Sequence, residues 1–176
     1  MIFTETKLKG AFIIDIEKRE DNRGFFSRVW CMKEFDEHGL NTRNFQSNIG
    51  FSPKKGTMRG LHYQLTPYEE AKLVRCTMGS IYDVIVDLRQ ESQTYKQWFA
   101  LELTGENRRM VYIPERFAHG YLTLENNSEV FYQSSEFYYP EWARGIRYDD
   151  PAFRINWPIE VQVISENDKN WPLYIS

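Results

Sequence analysis

Short apolar runs separated by turn residues follow one another along most of the chain. The clearest run, residues 81–88, alternates in character: Asp83 and Asp87 fall on one face of a strand, and Val84 and Val86 fall on the other. Gly, Pro, Asn or charged clusters bound each run, which is typical of strands in a sandwich or barrel. The pattern predicts strands at residues 10–16, 81–88, 98–103, 110–113, 120–124 and 130–134.

Helical patterns are scarce. Residues 31–38 predict one short helix with Phe35 on its inner side and Gly39 at its end, and a second short turn is expected after Pro140. We therefore expect an all-β fold with a few short helices, whose functional groups point into the mouth of the β-roll. Because the chain has 176 residues and no linker or repeat, we expect a single domain over residues 1–176.

Charge and composition argue against several classes of function. The formal net charge of -3 gives no basic footprint for nucleic acid. No apolar run approaches the roughly 18 residues of a membrane span, and the first residues lack a signal-peptide pattern. Cys31 and Cys76 have no metal-type spacing and are too few for a disulfide scaffold, so we expect a cytoplasmic protein. The abundant aromatic residues are expected mainly in the core, with a few stacking on a base or sugar.

The candidate chemistry centres on His62, one of only three histidines in the chain. The pattern places it between two strands, close to Arg59, with Lys72 further along the sequence. A histidine accepts or releases a proton near neutral pH, and neighbouring cations suit an anionic or enolate-forming substrate. A core histidine that is hydrogen-bonded to the backbone is the alternative interpretation.

Other polar residues on or beside apolar runs also have two interpretations. Asp168 could cap a turn, Tyr132 could be a half-buried core tyrosine, and Lys72 could be a solvated strand residue. Together they would suit inversion of a carbon next to a ketone, which needs an oriented histidine base, a cation at the enolate oxygen and a separate acid. Sequence spacing does not show that these residues meet. The set comprises Arg59, His62, Lys72, His119, Tyr132, Tyr138 and Asp168.

Several longer stretches resemble a known family. They are residues 21–26 (DNRGFF), 46–48 (QSN), 56–64 (GTMRGLHYQ), 72–75 (KLVR), 83–89, 113–120 (IPERFAHG), 132–138, 145–151 and 165–172. Over nearly its whole length the chain resembles the dTDP-4-dehydrorhamnose 3,5-epimerase family of nucleotide-sugar epimerases. The resemblance implies a jelly-roll, cupin-like β-sandwich, a homodimer and no cofactor. It also implies inversion of C3, C5 or both in a nucleotide-diphosphate 4-keto-6-deoxy sugar, within dTDP-rhamnose and O-antigen-type polysaccharide biosynthesis.

The resemblance also implies a role for each matching residue. His62 would be the general base, oriented by Asp168, and Tyr132 would be the general acid. Lys72 would hold the keto oxygen of the sugar and stabilise the enolate. The remaining matches imply substrate binding. Arg59 and His119 would bind the substrate, with Arg59 near the diphosphate, and Tyr138 would stack on the base. The positions that line the nucleotide pocket, some of them from the partner subunit, are Arg23, Phe26, Gln46 and Asn48.

The chain departs from the family pattern on the nucleotide side. Arg28 stands where the family usually has a glutamate, a full reversal of charge. Asn167 replaces a common lysine, Ala143 an acidic residue, and Gln133–Ser135 the usual Lys-Thr-Thr. Because a swapped charge in a partly buried site changes selectivity strongly, we expect the proton chemistry to be retained while the nucleotide or the sugar can differ.

Three alternatives remain open from the sequence. A metal-dependent cupin is disfavoured because Leu61–Gln64 offers a single histidine, whereas such sites need a cluster of them. A non-catalytic sugar- or nucleotide-binding module could share the same fold. The third alternative is an epimerase that acts at one carbon or on another nucleotide such as CDP.

Overall fold

The computed structural model describes residues 1–174, which form thirteen strands and two short helices. In chain order the elements are β1 (Ile2–Glu5), β2 (Phe12–Asp15), β3 (Arg19–Asp21), β4 (Gly24–Phe26), α1 (Met32–Glu37), β5 (Gln46–Ser52), β6 (Met58–Gln64), β7 (Lys72–Met78), β8 (Ser80–Asp87), β9 (Trp98–Thr104), β10 (Met110–Ile113), β11 (Phe117–Thr123), β12 (Ser128–Ser134), β13 (Ala143–Gly145) and α2 (Glu166–Lys169).

Two antiparallel sheets pack face to face. The larger sheet has the strand order β1-β2-β10-β7-β12-β5, and the smaller has the order β13-β6-β11-β8-β9. Strands β3 and β4 form a separate two-stranded hairpin whose residues are all exposed. The all-β sandwich expected from the sequence is therefore confirmed.

The main core lies between the two sheets. Val74 and Val130 of the larger sheet meet Ile81, Ile85 and Tyr121 of the smaller sheet there. The outer face of the smaller sheet is also covered, because the chain from Ile146 onward packs its apolar side chains against β6, β8 and β11. This double covering explains why nearly every residue of β8 is buried.

Helix α1 covers part of the outer face of the larger sheet. Phe35 is buried against Ile14, Leu73 and Tyr112. Gly39 follows the helix with a φ of +68°, a left-handed conformation that glycine adopts without strain, so the helix ends where the sequence predicts. None of the helices within residues 1–174 is long and apolar enough to cross a membrane.

The sequence located the strands that it predicted to within a few residues, but one placement was wrong. His62 does not lie between two strands: it is inside β6, paired directly with His119 on β11. Gly60, which has a φ of +107°, accompanies a register irregularity between β6 and β11, and this break in the period-two pattern hid the strand.

Candidate active site

Polar side chains from both sheets face the same space at one end of the sandwich. On the smaller sheet, His119 shares a face of β11 with the core residues Phe117 and Tyr121, and His62 is its cross-strand neighbour. On the larger sheet, Tyr132 is paired with the core residue Val74. Because side chains alternate along a strand, Lys72 points to the same side as Val74. The structure thus directs His62, His119, Lys72 and Tyr132 toward the space between the sheets.

The side chain of His62 is hydrogen-bonded to Asp168, the buried residue of α2. The Nε2 atom of His62 lies 2.5 Å from Oδ1 of Asp168, and the backbone amide of Gly60 donates to Oδ2 at 3.3 Å. Ser165 caps α2 by accepting a hydrogen bond from the amide of Asp168 at 3.1 Å. The cap fixes the backbone that aims the carboxylate at the imidazole.

The environment keeps Asp168 ionised. Burial by itself raises its pKa, but the hydrogen bond and charge of His62, with hydrogen bonds from Gly60 and Ser165, outweigh burial and lower the pKa below its usual range. An ionised carboxylate only accepts hydrogen bonds, so Nε2 of His62 must carry the proton of this contact. In the neutral ring Nδ1 is then the free basic nitrogen, and the His62 side chain is 48% exposed.

Tyr132 lies on the opposite sheet. Burial is the main cause that raises the pKa of its phenol, and the negative charge of Glu70 raises it further, while the positive charge of Arg59 lowers it. The phenol is therefore protonated at neutral pH. A group that holds its proton until a carbanion forms nearby is suited to act as an acid.

Lys72 is held by a residue that the sequence reasoning missed. Its Nζ lies 2.8 Å from Oε1 of Glu70, and both side chains are about nine-tenths buried. Oε2 of Glu70 also accepts hydrogen bonds from Ser134 Oγ at 3.0 Å and Gln64 Nε2 at 3.3 Å. The sequence offered only the adjacent pair Glu69–Glu70, which is typical of a solvated surface.

His119 is paired in the same way as His62. Its Nε2 lies 2.8 Å from Oδ2 of Asp83, and both residues are buried. The sequence placed Asp83 on one face of a strand without giving it a role. The signal that could have found it is its spacing from Asp87, since two carboxylates on a core-facing row need polar partners.

Arg59 bridges the two sheets at the open end. Its guanidinium donates to Ser52 Oγ at 3.2 Å and to the carbonyl oxygen of Phe51 at 3.0 Å, both on β5. It is exposed, so charge remains available to an anionic group entering between the sheets.

Two of the expected nucleotide-side residues reach this end of the sandwich. Gln46 Oε1 accepts a hydrogen bond from the amide of Tyr138 at 2.8 Å, and Asn48 is the cross-strand neighbour of Tyr132. The Tyr138 side chain is 62% exposed, so its ring is accessible for stacking. Gln46 therefore has a visible structural role, that of holding the segment which presents Tyr138.

The other two expected nucleotide-side residues, Arg23 and Phe26, lie on the hairpin formed by β3 and β4. Arg23 is paired with Asp21 of the same hairpin, and Phe26 is 71% exposed. Within residues 1–174 no hydrogen bond joins either residue to the His62 end of the sandwich. Arg28, the position of reversed charge, forms an ion pair with Glu34 of α1. Its Nη1 atom lies 2.9 Å from Oε1 of Glu34.

Comparisons with a family model and with curated proteins point to the same family. The family model described as dTDP-4-dehydrorhamnose 3,5-epimerase matches residues 5–175. A protein of that name from Methanothermobacter thermautotrophicus is 45% identical over 172 residues, which is 96% of this chain and 92% of the relative.

Solved structures of similar proteins superpose closely. The dTDP-4-dehydrorhamnose 3,5-epimerase from Elizabethkingia anophelis has a TM-score of 0.96 and 37% identity, covering 99% of this chain and 96% of that one. The dTDP-6-deoxy-D-glucose-3,5-epimerase from Legionella pneumophila, solved in complex with dTDP-4-keto-L-rhamnose, has a TM-score of 0.91 and 37% identity, covering 98% and 92%. The jelly-roll, cupin-like fold implied by the sequence resemblance is that of these proteins.

Proposed function

This chain belongs to the dTDP-4-dehydrorhamnose 3,5-epimerase family, and we propose that it inverts C3 and C5 of a dTDP-linked 4-keto-6-deoxy sugar by proton transfer, without a cofactor. It is an isomerase of deoxysugar biosynthesis. The observation that best supports the mechanism is the ionised Asp168 bonded to Nε2 of His62, because it leaves an accessible basic nitrogen in the space that Lys72 and the protonated Tyr132 also face.

The first step removes a proton next to the ketone. C3 and C5 both flank the C4 carbonyl, so loss of either proton gives an enolate with its charge on the C4 oxygen. Nδ1 of His62 takes the proton, and Asp168 stabilises the resulting imidazolium through Nε2–H. The Lys72 ammonium offers hydrogen bonds and positive charge to the enolate oxygen.

The second step returns a proton from the other side. Tyr132 belongs to the sheet opposite the one that carries His62, so its hydroxyl donates to the carbanion from the opposite face of the sugar ring. Carbon gains one proton, the phenol becomes phenolate, and proton exchange with solvent restores both side chains. The configuration at that carbon is inverted.

The nucleotide is proposed to be dTDP, which is the carrier in the complex of the Legionella pneumophila protein. Arg59 and Tyr138 would bind its diphosphate and base. The contact between Arg28 and Glu34 supports this choice, since the reversed charge is paired within the same chain. Thermal shifts with dTDP, UDP, CDP and GDP rank the carriers, because a ligand that binds only the folded state stabilises it.

We further propose a homodimer formed through the uncovered outer face of the larger sheet. Ile49 and Phe51 on β5 are 65% and 46% exposed there. Beside them Arg75 lies over the Phe131 ring at 5.3 Å, and it lines a cleft of about 310 Å³ together with Phe25 of the hairpin. Exposed aliphatic and aromatic residues around an arginine are typical of a subunit interface.

The proposed function is tested by incubating the protein with dTDP-4-keto-6-deoxyglucose in heavy water and examining the sugar by NMR. We expect deuterium at both carbons next to the ketone and formation of the L-configured 4-keto sugar. Deuterium at one carbon only would identify a single-centre epimerase. Absence of exchange, with nucleotide binding retained, would identify a binding module and overturn the proposal.

A further inference from the structure

A buried carboxylate that the mechanism above does not use lies beside two of its groups. Glu70 is 11% exposed and lies two residues before the first residue of β7, at the end of the sandwich where Lys72 and Tyr132 face inward. Burying a charge is costly unless it is paired and hydrogen-bonded. Its retention here therefore needs an explanation.

The contacts of Glu70 show what it holds. One carboxylate oxygen is bonded to the Lys72 ammonium at 2.8 Å, and the other accepts from Ser134 and Gln64. Because the carboxylate is fixed from β6 and β12, the ammonium bonded to it is restricted to one position. A flexible four-carbon side chain would otherwise sample many rotamers.

Gln64 extends this network to the segment that presents Tyr138. Its side-chain amide donates to the carbonyl oxygens of Tyr68 at 2.9 Å and Phe137 at 3.0 Å, and its Oε1 accepts from the amide of Tyr139 at 2.7 Å. Glu70 is thus connected, through one buried glutamine, to the backbone on both sides of the stacking tyrosine.

We propose that Glu70 is a positioning residue of this active site, which fixes the Lys72 ammonium for the enolate oxygen and supplies the negative charge that faces Tyr132. The inference rests on the proposed function and assigns a new residue to it. The groups that face Tyr132 from the elements around it are Glu70, Arg59, Tyr121 and Tyr138, together with His62, His119 and Lys72, which face the same space. Of these, Glu70 is the only carboxylate, and its charge raises the pKa of the phenol, second in size to burial.

The test compares Glu70→Gln with Glu69→Gln. Both variants lose one negative charge at neighbouring positions, but Glu69 accepts a hydrogen bond from Thr66 and, within residues 1–174, forms no hydrogen bond or ion pair with Lys72. For Glu70→Gln we expect kcat to fall about 10- to 100-fold, the scale expected when a reacting group is displaced, with KM changed much less. Glu69→Gln should match the wild type in both constants.

A second readout needs no substrate. The ionisation of Tyr132 is followed by NMR of ring-labelled tyrosine and identified by its absence in Tyr132→Phe. We expect Glu70→Gln to shift this titration to lower pH, as loss of a neighbouring like charge does, and Glu69→Gln to leave it unchanged. The alkaline limb of kcat should move with it. An unchanged titration in folded Glu70→Gln would overturn the proposal even if the enzyme is an epimerase.

Glu70→Asp serves as the conservative variant and as the fallback if Glu70→Gln does not fold. It keeps the charge but shortens the reach to Lys72, so kcat should fall while the Tyr132 titration stays near that of the wild type. A wild-type kcat in Glu70→Asp would contradict the positioning role. Failure of the wild type to epimerise any nucleotide sugar would instead refute the proposed function.

Discussion

Three basic side chains at the active end of the sandwich are each paired with a buried carboxylate. The pairs are His62 with Asp168, His119 with Asp83, and Lys72 with Glu70. A hydrogen bond to a fixed carboxylate holds each basic group in place before substrate arrives. A site organised in this way does not need to reorient its dipoles as charge develops on the enolate oxygen.

The pairing of Asp168 predicts how stability depends on pH. Its pKa in the folded protein lies below the ordinary value of 3.8, so the carboxylate stabilises the fold fully above that value, and the stabilisation is lost as pH falls through the lowered pKa. We expect the free energy of unfolding of the wild type to exceed that of Asp168→Asn by a constant amount near neutral pH. The gap should narrow below pH 3.8 in urea titrations. A gap that is independent of pH down to pH 2 would contradict the assigned ionisation.

At this scale the sequence predicted part of the site. The resemblance supplied His62, Lys72, Tyr132 and Asp168, and the fold directs the first three into one space and brings Asp168 into contact with His62. Their roles stay predictions. Glu70 could not be predicted, because only the strand pairing that sets Ser134 beside Lys72 turns a surface-like glutamate into a buried one.

At the level of elements, helix α2 shows how four residues can serve a site. Its residues Glu166–Lys169 are too few to be stable alone, so its geometry depends on the cap and on tertiary contacts. The cap is Ser165, whose side chain accepts from the amide of Asp168. The same bond that begins the helix also orients the carboxylate.

Removal of this cap gives an element-scale prediction. Ser165→Ala should lower the free energy of unfolding by about 1 kcal/mol, the usual cost of losing an N-cap, and should lower kcat because Asp168 is no longer held. Ser165→Asn is the matched control, since asparagine is an equally good cap. Urea unfolding and steady-state turnover measure the two effects. Equal kcat for Ser165→Ala and the wild type would show that the cap does not position Asp168.

Strand β8 shows why the hydrophobic pattern predicted the position of a strand better than the burial of its polar side chains. The alternation in residues 81–88 located the strand to within one residue at either end, yet its polar row is not solvated. Asp83 and Asp87 are fully buried because His119 and Arg89 pair with them. His119 lies on β11, so no local pattern could reveal the partner of Asp83, whereas Arg89 follows Asp87 by two residues.

At the scale of the whole molecule, the outer faces of the two sheets differ in how much of each is covered by other parts of the chain. The chain from Ile146 onward covers the outer face of the smaller sheet, whereas α1 covers only part of the outer face of the larger sheet. The uncovered part carries the row Ile49, Phe131 and Arg75, which are direct cross-strand neighbours. A second copy on this face would bury that row, which includes Arg75, whose Nε is buried without a hydrogen-bond partner among residues 1–174.

The homodimer is tested by sedimentation equilibrium. We expect the wild type to show twice the chain mass of 21.1 kDa, and Ile49→Asp to show the mass of one chain, because it would bury an unpaired charge in the interface. Leu173→Asp is the control, since Leu173 is 48% exposed and lies away from β5 in the sequence. A wild type that sediments as a single chain, or an Ile49→Asp variant that remains a dimer, would refute this interface.

The pairing of strands within the two sheets was the feature of the fold that the sequence predicted least. Strand β2 pairs with β10, and β6 pairs with β11 and β13, so the sheets are built from segments far apart in the chain. Apolar runs predict that strands exist but carry no information on which neighbours they choose, since every run presents a similar surface. The resemblance to a family, rather than periodicity, supplied the jelly-roll.

Isotope exchange in two variants tests most directly whether His62 and Tyr132 act on the sugar from opposite sides. In heavy water, His62→Ala should show no deuterium at either carbon next to the ketone. Tyr132→Phe should still exchange the first proton while net epimerisation falls by about 10²–10⁴-fold, the usual contribution of a positioned acid. Exchange in His62→Ala at a rate close to that of the wild type, or an equal loss of exchange and epimerisation in Tyr132→Phe, would contradict the division of roles between the two sheets.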